Sequence, residues 1–170
     1  MPKVLTYPFS EKDMEIAAKE WGANCGPAAL AFALQIPIGE VKDKIPGFAG
    51  KGYTSPTMMK SALENCGRGF ITWKPEVVNM FGLESIRLVR VQWSGPWTKP
   101  GSNPKWAYRQ THWLCSFARE FIGETLQIVF DCNGGIMPFA EWKEKIVPVL
   151  TSCYSRADGG WFPTHIWEIV

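Results

Sequence analysis

The feature that most limits what this chain can become is a single change of pattern at Gly67. Before it, helix start and stop signals follow one another, and after it the apolar residues fall into short strand-like runs. Ser10-Glu11-Lys12-Asp13 reads as a capped start, with Asp13 placed to answer Ser10, and predicts a helix to about Glu20. A second helix is expected from Cys25 to about Gln35, and a short one over 38–44 is stopped by Pro46-Gly47. Another runs to about Asn65, with Ser55 as cap and Pro56 in its first turn. Strands are predicted over 69–73, over 86–93, around Trp113, over the run ending at Asp131, and over 164–169. Helices first and an antiparallel sheet after them is an α+β layout. No repeat, low-complexity segment or linker breaks it, so residues 1–170 are expected to form one domain.

Composition removes several function classes. At 170 residues, 46% apolar and 20% charged, the chain has the material for one sizeable core. A net charge of +2 is too weak a field to attract nucleic acid, and the nine tryptophans lack the interleaved basic residues of a base-stacking groove. They are expected as core and pocket-wall aromatics. No apolar run approaches the roughly 18 residues of a membrane span, and Met1-Pro2-Lys3-Val4-Leu5 is not a charged-then-apolar signal, so a cytoplasmic location without membrane contact is expected. Five cysteines without a C-x-x-C pair argue against a disulfide framework or zinc ribbon; Cys66, Cys115, Cys132 and Cys153 read as buried, inert thiols. Ala49-Gly50-Lys51-Gly52-Tyr53 is Gly-rich but matches no phosphate-binding motif. No cofactor is expected.

Cys25 is different. In Asn24-Cys25-Gly26-Pro27-Ala28-Ala29-Leu30 a polar loop enters an apolar helix, placing the cysteine at a helix N-terminus. Unpaired N–H groups and the positive dipole end favour a thiolate there, which is how a nucleophile is made. A nucleophile needs a base and the base an orienting group. Gln110-Thr111-His112-Trp113 begins one strand and Phe130-Asp131 ends the next, so an antiparallel hairpin brings His112 and Asp131 together. His165, the other histidine, shares a face with Trp167 and Ile169 and has no carboxylate at hairpin spacing, which suits a structural role. A metal site on His112 and Cys115 is not expected, because residues three apart on a strand face opposite ways; the same alternation separates Asp131 from Cys132. Neither G-x-S-x-G nor H-E-x-x-H is present.

With Asn24-Cys25-Gly26-Pro27, then Thr111-His112-Trp113, then Phe130-Asp131-Cys132-Asn133-Gly134, the chain resembles the papain-like cysteine peptidase superfamily over roughly residues 15–135. It is most similar to the compact bacterial and phage members of the type of the bacteriocin-processing C39 peptidases. The resemblance implies a helical half followed by an antiparallel sheet, a Cys25–His112–Asp131 triad, and cleavage of a peptide or isopeptide bond through a thioester, with a peptide or protein as substrate partner. Transglutaminase-like proteins and several acyltransferases share the same order. A binding module that keeps the fold without turnover, a phage-type counter-defence or regulatory protein, is the alternative.

One position departs from the family. Its members place an oxyanion-donating glutamine about six residues before the cysteine, where this chain has Lys19. Asn24 is the nearest amide and the candidate replacement, beside the Cys25 N–H. Two tryptophans of the Pro/Gly-rich stretch 94–106, Trp97 and Trp106, are candidate cleft walls with Trp113, or else pins of a surface loop.

Overall fold

Ser10 begins the helical half where its side chain requires. The computed structural model describes residues 8–170, so the reading of residues 1–5 lies outside the described residues. The Ser10 hydroxyl accepts from the Asp13 N–H (3.2 Å) and the Ser10 N–H donates to the Asp13 carboxylate (2.8 Å), which closes a capping box on α1 (Glu11–Trp21). Gly22 ends α1 in the left-handed region (φ 72°), a conformation glycine reaches without steric cost. Every residue of α2 (Cys25–Leu34) after the cysteine is buried, so this is a core helix, apolar all round. α3 (Ile38–Val41) continues into a 3-10 turn over Lys42–Lys44. The Gly-rich stretch at 49–53 overlaps one further turn, α4 (Phe48–Lys51), anchored by the buried ring of Phe48. α5 (Pro56–Asn65) has Ser55 as its cap, accepting from the Met58 N–H at 3.2 Å.

The second half is one antiparallel sheet. Its strands are β1 (Phe70–Trp73), β2 (Arg87–Trp93), β3 (Thr111–Phe121), β4 (Glu124–Asp131), β5 (Gly135–Pro138) and β6 (Trp161–Ile169), in the order β1-β6-β2-β3-β4-β5. The protein is thus α+β. β3 and β4 meet in a two-residue turn, Ile122-Gly123, with positive φ at both positions (51° and 79°), the geometry that matches the natural twist of a hairpin. Its register runs from Phe121 opposite Glu124 to Cys115 opposite Phe130, which carries His112 and Asp131 to the same end. Between β2 and β3 the loop forms a small helix, α6 (Pro104–Ala107).

Both faces of the sheet are covered, which explains why β2 is buried from Leu88 to Trp93 instead of alternating. On one face, α2 and its neighbours pack against Leu88, Trp113, Cys115, Phe117 and Phe130, and Phe32 stacks on Phe130 with ring centres 4.3 Å apart. On the other, Val89, Trp93, Leu114 and Val129 meet a helical segment that no motif above had flagged: α7 (Phe139–Glu141), one π turn (Trp142–Ile146) and α8 (Val147–Ser152). Trp142 is fully buried there. Among the described residues no helix is long and apolar enough to cross a membrane.

Candidate active site

Cys25 opens α2 because the residues behind it allow a tight approach. The Ala28 N–H makes the first helical bond to the Asn24 carbonyl (2.8 Å). A Cβ on Gly26 would overlap the Thr54 side chain, with the Thr54 Cβ 2.5 Å away, so only glycine lets that loop lie against the helix start. The sheet brings its own end to the same place. His112, 6% exposed, is the second residue of β3, and its Nε2 is 2.9 Å from Asp131 Oδ2. That leaves Nδ1 to face the Cys25 thiol, which lines the same cavity as the ring.

Asp131 is wholly buried and fully satisfied. Its Oδ2 also accepts from the Trp142 indole N–H (2.8 Å), and its Oδ1 accepts from the Asn133 backbone N–H (2.9 Å) and side-chain amide (3.0 Å). Asn133 therefore braces Asp131 and does not itself meet the imidazole. Trp142 was missed in the sequence because nothing short-range ties residue 142 to residue 131.

The charges follow from this packing. Burial works against an imidazolium at His112, but the Asp131 carboxylate and the Cys25 sulfur outweigh it and push His112 up to about 10. Burial also opposes ionisation of Asp131, and the His112 charge with the hydrogen bonds it accepts holds the carboxyl at about 2. The Cys25 thiol is raised by burial yet lowered more by the His112 charge, its hydrogen bond and the Trp113 backbone N–H; the net shift is downward. The arrangement pairs a thiol shifted downward with an imidazole shifted upward, and a carboxylate backs them.

The other thiols are set against it. Cys115 is buried on the opposite face of β3, donates to the Ala29 carbonyl (3.0 Å) and is pushed well up by burial. The reading of four buried thiols holds only for Cys115: Cys66 and Cys132 are half-buried, and Cys153 is exposed at the end of α8. Cys132 corrects the alternation argument. Its sulfur and the nearest atoms of His112 and Asp131 all lie within 4.8 Å of one another. The strand ends at Asp131 and turns, with the Gly134 N–H bonded to the Asp131 carbonyl (3.1 Å), so strand alternation no longer applies at 132. These three are a possible metal set by distance alone, but an imidazolium has no lone pair to give a metal, and the Cys132 thiol is pushed well up by burial and by Asp131. His165 bonds Thr164 Oγ1 (3.1 Å), lies 5.8 Å from the Trp167 ring and has no carboxylate partner among the described residues.

A cavity of about 710 Å³ opens over Cys25 and His112. Of the cleft candidates Trp113 lines it, its indole held by the Thr54 carbonyl (2.8 Å). Trp97 does not. Its indole N–H is bound to the Trp93 carbonyl (2.7 Å), and it packs into the loop that leaves β2. Trp106 is 63% exposed outside the cavity, where Tyr108 and Arg109 stand instead. Asn24 also departs from expectation. Its amide donates to the Met14 carbonyl (2.9 Å), tying the loop to α1, and its side chain lines a separate depression beside Cys132. Lys19 is exposed on α1. Asn24→Ala is therefore expected to cost about 1 kcal/mol in urea unfolding while changing turnover by less than about threefold. An oxyanion donor would instead show a loss of about 10²–10³ in kcat.

No family model and no curated protein matches the chain.

Proposed function

We propose that the protein is a papain-like cysteine hydrolase that cleaves a peptide or isopeptide bond. The observation that carries this is the Cys25–His112 pair, thiol lowered and imidazole raised, at the floor of a cavity. The Cys25 thiolate attacks the substrate carbonyl carbon, and the C–S bond forms as the oxygen takes the negative charge, which the Cys25 N–H at the start of α2 helps to hold. The imidazolium gives its Nδ1 proton to the leaving amine, the C–N bond breaks, and a thioester remains. His112 then takes a proton from water, whose attack releases the acid and restores the pair. Asp131, bound at Nε2, keeps the ring turned toward the sulfur through both halves. An amine entering in place of water would make the same site a transferase.

One observation favours the binding module. The Asn24 amide is committed to Met14, so the oxyanion relies on backbone N–H groups. Incubation with a panel of peptide and isopeptide substrates, acid quench and mass spectrometry decide between the two. The expected result is an acyl group on the peptide that contains Cys25, together with released amine; a panel that leaves Cys25 unmodified and every substrate intact sinks the hydrolase.

A further inference from the structure

Arg90 lies in the middle of β2, between strands on both sides, and is 4% exposed. A guanidinium stays protonated in proteins, and a buried charge without a partner is costly. Among the described residues no carboxylate pairs with it. Its Nη1 makes one long bond to Thr164 Oγ1 (3.3 Å), its Nε makes none, and its flat face lies 5.7 Å from the Tyr108 ring centre. The sheet is deformed at this point. Arg90 pairs with His165 while Val91 pairs with Pro163, so Thr164 is an extra residue on β6, and such a bulge re-aims the side chain opposite it. Arg90 is aimed into the cavity that holds Cys25.

Apart from the Cys25–His112 pair, the ionic side chains in the wall of that cavity are all basic. Arg90, Lys105 and Arg109 line it, and none of its lining residues is an aspartate or glutamate. Thr54 lines it too, though its unpartnered Oγ1 is packed against Gly26 at the start of α2. A buried guanidinium with unused donors, lining a cavity whose other ionic wall residues are basic, describes a receptor for an anion that accepts hydrogen bonds. We propose that the substrate is an acidic peptide, and that Arg90 binds a carboxylate next to the bond that Cys25 attacks. The inference rests on the cysteine nucleophile argued above and deepens it by naming the substrate class. The carboxylate belongs either to an Asp or Glu side chain or to the free C-terminus of the peptide.

Alkylation separates the two ideas, because it needs no turnover. Iodoacetate and iodoacetamide both lose iodide to the thiolate, but only iodoacetate carries a carboxylate. With modification at Cys25 followed by mass spectrometry at pH 7, the iodoacetate-to-iodoacetamide rate ratio is expected to fall at least about tenfold in Arg90→Gln, and by less in Arg90→Lys, which keeps the charge and loses the fork. In the wild-type protein, N-acetylglutamate α-amide (side-chain carboxylate) or N-acetylalanylglycine (C-terminal carboxylate) is expected to protect Cys25 from iodoacetamide. N-acetylglutamine α-amide and N-acetylalanylglycinamide are not, and whichever acid protects at lower concentration identifies the source. The protection arm stands whether or not the variants fold. A Cys25 that reacts with neither reagent overturns the nucleophile and this inference together. A Cys25 that reacts with both, at a ratio unmoved by Arg90→Gln or with equal protection by acids and neutral peptides, overturns only the carboxylate site; protection by inorganic phosphate alone does the same.

Discussion

His112→Ala is expected to slow alkylation of Cys25 by iodoacetamide on the order of 10²-fold at pH 6. An ordinary thiol, with a pKa near 8.5, is ionised to roughly one part in 300 at that pH, and burial at this site pushes the thiol higher still once the imidazolium is gone. With His112 in place the sulfur ionises at lower pH than an ordinary thiol, so the wild-type rate should stay above the variant's through the neutral range, up to about pH 10, where the imidazolium discharges. The variant rate should climb tenfold per pH unit and approach the wild type only in alkali, where a thiolate of higher pKa is the better nucleophile. Profiles that superimpose would remove His112 from the site.

The same charges set the pH dependence of stability. His112 is raised above its unfolded value of 6.5, so its contribution is full below 6.5 and is lost as pH rises toward about 10. Cys25 is lowered from 9.0, so its contribution is full above 9 and is lost as pH falls. Between 6.5 and 9 the two shifts oppose each other, the His112 contribution falling and the Cys25 contribution rising with pH. The pair therefore adds less pH dependence near neutrality than either group would alone, and the Cys25 share disappears on the acid side.

Local chemistry was legible in the sequence, and long-range placement was not. Ser10 and Ser55 announce helix starts through bonds made within three residues, and Pro56 through the N–H it lacks in the first turn. The hairpin could be read because one turn sets the register that brings residue 112 to residue 131. Nothing local announces that the last strand inserts between β1 and β2, or that residues 139–152 fold over the far face to lay Trp142 against Asp131. Arg90 sits in Arg87-Leu88-Val89-Arg90-Val91, where an arginine reads as the solvent side of a strand. Its burial depends on β6 arriving beside it. Asn24 and Trp97 went astray for a related reason: each found a backbone carbonyl, Met14 and Trp93, closer to hand than the cavity.

Asp131→Ala is expected to destabilise the protein by about 3–5 kcal/mol at pH 6, measured by urea unfolding, because it leaves a buried imidazolium without its counter-charge. It also orphans the Trp142 indole N–H and the two Asn133 donors that the carboxylate now satisfies. The loss should shrink as pH rises, since a His112 freed of Asp131 titrates at lower pH and the variant escapes the cost by discharging it. Asn133→Ala removes one bond to Oδ1 and leaves the ion pair, so about 1 kcal/mol is expected, with alkylation nearly unchanged. Asp131→Asn serves where the alanine variant does not fold. Its amide keeps an oxygen to accept from Trp142 but has no charge to hold the imidazolium, so Cys25 alkylation at pH 6 should fall while the loss of stability is smaller than for alanine. A cost for Asn133→Ala as large as that for Asp131→Ala, or an Asp131→Asn variant that alkylates at the wild-type rate, would move the orienting role off Asp131.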